Sequence, residues 1–161
     1  MVLFNPHALR AALPPGRRVL GLDPGSKIVG LALSDASLTL ASPYRGLARR
    51  KMGAMLEEFA TIVRAEEIGA LVCGLPLGLD GSFGPAARAA QDWAGDLAER
   101  LALPACLWDE RLSSSAVNRF LITEMDLTRK RRAEVVDKVA AAYMLQGWLD
   151  ATQAAEKRSA D

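Results

Sequence analysis

The sequence predicts an α/β domain in which helices pack on both faces of a five-stranded mixed sheet. Three short apolar strands come first, and helix-length and strand-length apolar patterns then alternate along the chain. The run Ile68–Leu75 is uncharged and apolar throughout, as expected of a central strand covered on both faces. The chain has 161 residues, of which 50% are hydrophobic and 24% charged, so it is long enough for one packed core and too apolar to stay disordered.

The first three strands are expected to form an antiparallel meander. Along Arg17–Asp23, two leucines alternate with Val19, Gly21 and Asp23, and a Pro-Gly pair ends that strand. A second apolar run, Ile28–Leu33, is followed by the turn residues Ser34–Ser37. The third strand is predicted over Leu38–Ala41, closed by a proline two residues later.

Helical spacing follows this meander. Apolar residues recur three and four apart from Met52 to Val63, and again from Pro85 to Leu101, where the proline can begin a helix. Ala105–Trp108 is the fifth strand in this prediction. Two further helical stretches are predicted over Ala116–Ile122 and Ala133–Asp150.

We predict one domain over residues 17–150, an N-terminal extension over 1–16 and a flexible polar tail over 151–161. The N-terminal segment lacks the basic-then-apolar order of a secretory signal, and no apolar stretch approaches the roughly 20 residues that span a bilayer. Cys73 and Cys106 lie in apolar segments, which suits buried, reduced thiols. These features predict a cytoplasmic protein with no membrane partner.

The formal net charge of +1 gives the molecule no global field for polyanions, so any nucleic-acid surface must be local. Two basic clusters offer such a surface: Arg45, Arg49, Arg50 and Lys51, and then Arg129, Lys130, Arg131 and Arg132. Each could neutralise several phosphates, and the alternative is a solvated face. The second cluster directly precedes the predicted helix that carries Asp137, and a helix N-terminus favours anions.

Three acidic residues stand where a carboxylate is unexpected. Asp23 ends a core strand, Glu110 follows another, and Asp137 shares its helical face with apolar residues. A buried carboxylate requires a cation, hydrogen bonds or protonation. Oxygen ligands without histidine or cysteine favour Mg²⁺ or Mn²⁺ over zinc, and two such ions could activate water for phosphodiester hydrolysis. The structural alternative is that Asp23 caps a turn while Glu110 and Asp137 pair with neighbouring cations.

Four motifs, taken in order, resemble those of the YqgF/RuvX family of Holliday junction resolvases, which are also regarded as ribosomal RNA precursor nucleases. They are Gly21–Asp35, Gly74–Pro76 with Asp80-Gly81, Trp108–Ser113, and Asp137–Ala141. The resemblance covers the chain from Arg17 to about Asp150. Four ordered motifs are far more specific than any one of them alone.

The resemblance implies an RNase H-like fold and a metal-dependent nuclease centre. Its catalytic and metal-binding carboxylates would be Asp23, Glu110 and Asp137, holding two Mg²⁺ or Mn²⁺ ions. Ile28 stands where the family commonly has a basic residue. An isoleucine has no charge to offer a phosphate, so this departure affects a phosphate contact at that position and leaves the implied metal site unaffected.

Four sets of polar residues are candidates for contacting the nucleic acid. Lys27 and Arg111 are the basic residues nearest the carboxylates in sequence, and each could contact the scissile phosphate. Ser113 could donate a hydrogen bond to a phosphate, although a serine before a helical stretch is more often an N-cap. The run of Arg129, Lys130, Arg131 and Arg132 completes the set.

The leading interpretation is a nuclease that cleaves structured nucleic acid, with the precursor of 16S ribosomal RNA as substrate. A Holliday junction resolvase acting on DNA is one alternative, and its two-fold symmetric substrate would call for a homodimer. A nucleic-acid-binding or regulatory module without turnover is the other. The presence of Asp23, Glu110 and Asp137 favours an enzyme.

Overall fold

The structure is a computed structural model that describes residues 3–78, 80–109 and 129–160, with the side chains of the last helix described over 137–153. Its strands are β1 (Arg18–Pro24), β2 (Ile28–Ser34), β3 (Ala41–Ala48), β4 (Ile68–Leu75) and β5 (Ala105–Asp109). Its helices are α1 (Pro6–Ala12), α2 (Met52–Ala65), α3 (Pro85–Leu101) and α4 (Arg129–Ala160).

The five strands form one sheet in the order β3-β2-β1-β4-β5. The pairs β1–β2 and β2–β3 are antiparallel, whereas β1–β4 and β4–β5 are parallel. The predicted five-stranded mixed sheet is therefore confirmed. The carboxyl ends of β1, β4 and β5 meet at one edge of the sheet, because these three strands run in the same direction.

Alternate side chains of the strands supply two cores, one on each face of the sheet. Leu20 and Leu22 pack on one face with buried residues of α2 and α3. Val19 and Ala32 pack on the other face with buried residues of α1 and α4. Helices therefore cover both faces, as the sequence predicts.

The two cysteines lie on opposite faces of the sheet, Cys73 in the core below α2 and α3 and Cys106 in the core below α4. Both are buried, and they form no disulfide. Desolvation raises the pKa of Cys106 to about 12, which keeps this thiol protonated and poorly nucleophilic.

The third strand differs from its prediction, since it begins where the predicted segment Leu38–Ala41 ends. The Asp35 carboxylate accepts hydrogen bonds from the main-chain N–H groups of Thr39 and Leu40, at 2.8 and 3.1 Å, and so folds residues 35–40 into a turn. Partial desolvation acts to raise the pKa of Asp35, but hydrogen bonds from Thr39, Leu40 and Ser37 outweigh it and hold the pKa well below its usual range.

Pro43 lies inside β3, where the sequence suggested a strand end. Because β3 is an edge strand, a residue without an N–H group can be accommodated there. The register of β2 against β3 shifts next to the pair formed by Ala32 and Pro43, which is consistent with a local irregularity at the proline.

Residues of the N-terminal extension pack on the domain, beginning with Leu3, which lies against the core below α2 and α3. The Phe4 N–H donates to the Ala105 carbonyl at 2.8 Å, beside β5. In α1, Leu9 is fully buried, and Arg10 donates to the carbonyls of Leu149 and Leu38, each at 3.2 Å. Residues of the predicted extension are thus part of the core below α4.

Helix α4 continues beyond the predicted end at Asp150, as far as Ala160. Thr152, in the segment expected to be a flexible tail, is buried and donates to the Trp148 carbonyl at 2.7 Å. The predicted helix Ala116–Ile122 lies outside the described residues. Within the part of the chain that the structure describes, no helix combines the length and apolar character needed to cross a membrane.

Candidate active site

Asp23 lies near the carboxyl end of the central strand β1, on the face covered by α4. Val19 belongs to the core on that face, and a Cβ built on Gly21 would lie 3.0 Å from Leu145 Cβ of α4. Because side chains alternate along a strand, Asp23 projects to the same face as these two residues. The side chain of Asp23 is partly buried.

Asp137 comes to this edge because α4 crosses β1 and β2 at close range. Its carboxylate is one turn before Ala141, which is fully buried against the sheet, so both residues share one helical face. A Cβ on Gly30 would overlap the main-chain carbonyl oxygen of Asp137 and lie 3.1 Å from the Lys138 nitrogen. Gly30 is in turn the register partner of Asp23. The two predicted carboxylates are therefore neighbours.

The electrostatics of this pair are those of two carboxylates held together. Desolvation, and next the negative charge of Asp23, raise the pKa of Asp137 to about 6. A Cβ on Gly25 would lie 3.7 Å from Asp137 Oδ1, so the turn after β1 borders the same space. Two partly buried carboxylates that repel each other form an all-oxygen donor set, and this donor set suits a hard divalent cation.

The third predicted carboxylate, Glu110, lies outside the described residues, as do Arg111 and Ser113. The structure describes β5 up to Asp109, which pairs with Leu75 at the edge where β1 ends. Within the described residues there is no group of three or more His, Cys, Asp or Glu side chains placed to hold a metal ion. The structure therefore brings together two of the three predicted ligands.

The basic candidates that the structure describes lie on two different elements, the turn after β1 and the start of α4. Lys27 is exposed in the turn that follows Asp23. The run of Arg129, Lys130, Arg131 and Arg132 begins α4 and thus precedes Asp137 on the same helix, and its side chains are outside the description.

The first basic cluster makes several local contacts. The guanidinium of Arg45 lies 5.9 Å from the centre of the Tyr44 ring, and Arg50 pairs with Glu58 at 3.2 Å. Arg49 donates from Nη1 to the Gly25 carbonyl at 2.9 Å. These contacts engage three of the four basic residues with the protein's own groups.

The glycine-containing loop after β4 satisfies much of its own backbone. The Gly78 N–H donates to the Ser82 carbonyl at 2.9 Å, and the Gly81 N–H donates to the Gly78 carbonyl at 2.8 Å. The Ser82 N–H donates to Asp80 Oδ1 at 2.9 Å. These contacts occupy amides of the loop. They favour a loop that only connects β4 to α3, and they argue against a loop that offers its amides to a phosphate.

Sequence reasoning missed the roles of Gly30 and Arg49. An isolated glycine inside an apolar strand is a signal of close backbone approach, and Gly30 carries that signal. The sequence places Arg49 in a basic cluster, and its contact with Gly25 has no local sequence signal.

The chain is similar to one protein family and to individual proteins of known sequence. A family model described as RuvX, Holliday junction resolvase, matches residues 17–151. A protein of Gluconobacter oxydans named "Putative pre-16S rRNA nuclease" is 70% identical over 153 residues, which are 95% of this chain and 96% of that protein. A protein of the same name from Gluconacetobacter diazotrophicus is 61% identical over 152 residues, which are 94% of this chain and 99% of that protein.

A solved structure is also similar. It is T. thermophilus RuvC in complex with Holliday junction substrate, with a TM-score of 0.51 and 14% identity over 85% of this chain and 96% of that one. At this level of identity the likeness concerns the fold, and it confirms the RNase H-like architecture implied by the four motifs.

Proposed function

This chain belongs to the RuvX family, and we propose that it is a divalent-metal-dependent nuclease that hydrolyses a phosphodiester bond in the precursor of 16S ribosomal RNA. The shared name of its close relatives directs the proposal to this substrate. The observation that carries the chemistry is the juxtaposition of Asp23 and Asp137 at the carboxyl end of β1, with the pKa of Asp137 raised to about 6. The proposal includes a cytoplasmic location, where ribosomal RNA precursors occur in bacteria.

Asp23, Asp137 and Glu110 would hold two Mg²⁺ or Mn²⁺ ions in this proposal. When bound, such a pair supplies an activated water and stabilises the leaving oxygen. Asp23 is held by the central strand and Asp137 by a helix whose backbone rests on Gly30, so both oxygen donors are fixed by rigid elements. Above pH 6 the Asp137 carboxylate is mainly ionised and available as a ligand.

The support for Glu110 comes from its position in the sequence. Trp108 in β5 packs against the core on the α4 face, and Glu110 stands two residues later. Two residues is the repeat at which strand side chains return to one face. The resemblance to the family assigns the same residue.

Substrate contacts are proposed for the basic and hydroxyl groups around this edge. Lys27 is exposed in the turn beside Asp23 and could reach a phosphate oxygen. Arg111 and Ser113 follow Glu110 in the sequence. The run 129–132 at the start of α4 adds four positive charges to a helix N-terminus, which itself favours anions.

The decisive experiment offers the protein end-labelled 16S precursor RNA and a labelled four-way DNA junction side by side, with Mg²⁺, with Mn²⁺ and with a chelator. We expect cleavage of the RNA that the chelator abolishes. Asp23→Asn keeps the size of the side chain and removes its charge, so it should fold, bind RNA and lose cleavage. Binding without cleavage by the parent protein, under any divalent ion, would instead favour a non-catalytic module.

A Holliday junction resolvase is the second candidate, and the description of the matching family model favours it. A four-way junction has two-fold symmetry, so this activity would call for a homodimer with two active sites. Preferential cleavage of the junction, together with a dimer in sedimentation, would select this candidate over the RNA nuclease.

A further inference from the structure

The turn that links β1 to β2 lies against the proposed metal site. The Gly25 N–H donates to the carbonyls of Asp23 and Ile28, both at 3.0 Å. A Cβ on Gly25 would lie 2.7 Å from the Ile28 carbonyl oxygen and 3.7 Å from Asp137 Oδ1. The path of this turn therefore sets the space beside both carboxylates.

One residue outside the turn binds it at two points. The main-chain N–H of Arg49 donates to the Lys27 carbonyl at 2.8 Å, and Arg49 Nη1 donates to the Gly25 carbonyl at 2.9 Å. Arg49 can reach both because it directly follows β3, whose last residue, Ala48, pairs with Ile28. The turn is thus held from the side of the edge strand.

The same guanidinium also contacts the opposite layer of the fold. It lies 5.8 Å from the centre of the Trp93 ring on α3. Trp93 in turn packs edge-on against Phe59, a fully buried residue of α2, with ring centres 6.1 Å apart. A planar guanidinium can contact an aromatic ring and donate a directed hydrogen bond at once, whereas an ammonium group is a compact point charge.

We infer that Arg49 is a positioning residue, which ties the turn of residues 24–27 to α3 and thereby fixes Asp23 and Lys27 for catalysis. The inference rests on the proposed function and adds a residue that acts through the turn. The competing role is a direct phosphate contact, the role first suggested by the basic cluster. The two roles differ, because a phosphate contact needs a positive charge and the turn needs the guanidinium shape.

The test compares Arg49→Ala and Arg49→Lys with Arg100→Lys. Arg100 is the control, since its guanidinium also contacts another side chain, in an ion pair with Asp96 at 2.9 Å, and it lies outside both basic clusters. Hydrogen exchange of the peptide covering residues 23–28 is measured without metal. Mn²⁺ affinity, kcat, KM and the salt dependence of RNA binding are then measured for each variant.

We expect both Arg49 variants to exchange the turn amides faster and to lower kcat about tenfold or more, since a hydrogen bond to a charged group is lost. KM and the salt dependence should stay close to those of the parent protein. Added guanidinium ion should restore part of the kcat of Arg49→Ala, with sodium chloride at equal ionic strength as the control. Arg100→Lys should change none of these quantities.

Two results would overturn the inference. One is unchanged exchange of residues 23–28 in both Arg49 variants. The other is a rise in KM and a flatter salt dependence in Arg49→Ala that Arg49→Lys reverses, which would identify a phosphate contact. If the parent protein cleaves neither substrate, the proposed function fails, and the exchange of residues 23–28 still decides whether Arg49 fixes the turn.

Discussion

The main chain of Asp137 rests directly on Gly30, the residue of β2 that pairs with Asp23. A Cβ on Gly30 would overlap the Asp137 carbonyl oxygen and lie 3.1 Å from the Lys138 nitrogen. Together with the approach of Leu145 to Gly21, this contact sets the depth at which α4 crosses the sheet. It therefore also sets the relative position of the two carboxylates.

Gly30→Ala should lower both stability and metal binding. The added methyl group meets main-chain atoms that cannot rotate away, so α4 must shift, and overpacking of this kind costs about 1–3 kcal/mol. Gly95→Ala is the matched control, because it lies within α3 with nothing within 4 Å of its Cβ position. That control should stabilise the protein by about 0.5–1 kcal/mol. Urea unfolding and Mn²⁺ titration measure both effects, and a Gly30→Ala protein as stable as the parent would contradict the close approach.

Asp137→Asn should raise the stability of the metal-free protein above pH 6. The pKa of Asp137 is raised from 3.8 to about 6, so the folded state favours the neutral acid and loses stability on ionisation. This loss of stability is absent below about pH 4, grows between pH 4 and about pH 6, and is complete above about pH 6. The asparagine side chain has no such loss.

Urea midpoints at pH 4 and pH 7.5, both with chelator, measure this difference. We expect the gain in stability of Asp137→Asn over the parent protein to be larger at pH 7.5 than at pH 4. Asp92→Asn, an exposed position on α3, serves as the control for the loss of one negative charge. A gain that is equal at the two pH values would show that Asp137 is not destabilised by ionisation.

Mn²⁺ should bind the parent protein more weakly as the pH falls through 6, because the ion competes with the proton on Asp137. Mn²⁺ should also raise the melting temperature of the parent and have little effect on Asp137→Asn. Calorimetry at pH 5 and pH 7.5 tests the first expectation, and thermal unfolding with and without Mn²⁺ tests the second. Equal Mn²⁺ affinity of the parent and Asp137→Asn would remove Asp137 from the ligand set.

Local sequence patterns predicted the elements whose determinants are themselves local. The bounds of β4 and α3 match their predictions, because one is a continuous apolar run and the other begins at a proline suited to the first helical turn. Helix α3 also ends cleanly, at Ala102 in the left-handed conformation with φ of 55°. The third strand was misplaced because the side chain of Asp35 competes for main-chain N–H groups.

The site shows the same division between local and distant causes. Helical spacing was enough to predict that Asp137 faces the core, and the pattern of β1 was enough to predict that Asp23 ends a core strand. The backbone contact of Gly30 with Asp137 and the hydrogen bond of Arg49 to Gly25 depend on how separate elements meet. No single segment contains that information.

Leu9→Ala should destabilise the protein by about 2–5 kcal/mol, the usual range for a buried leucine. Leu9 is fully buried beside residues of α4, although it belongs to the predicted N-terminal extension. His7→Ala, on the exposed side of α1, should have little effect. Chemical unfolding of both variants measures the contrast, and near-parental stability of Leu9→Ala would mean that the extension is dispensable.

The basic run at the start of α4 should act through phosphate charge and not through sequence. If Arg129, Lys130, Arg131 and Arg132 are replaced together by alanine, RNA binding should weaken to a similar degree for all sequences. The slope of log affinity against log salt should flatten by about 0.7 to 0.9 for each lost phosphate contact, because fewer counterions are released on binding. Arg100→Ala is the control, since this arginine pairs with Asp96 on α3 at 2.9 Å. Filter binding at several salt concentrations gives the slopes, and a slope that the fourfold replacement leaves unchanged would assign the run to the solvated surface.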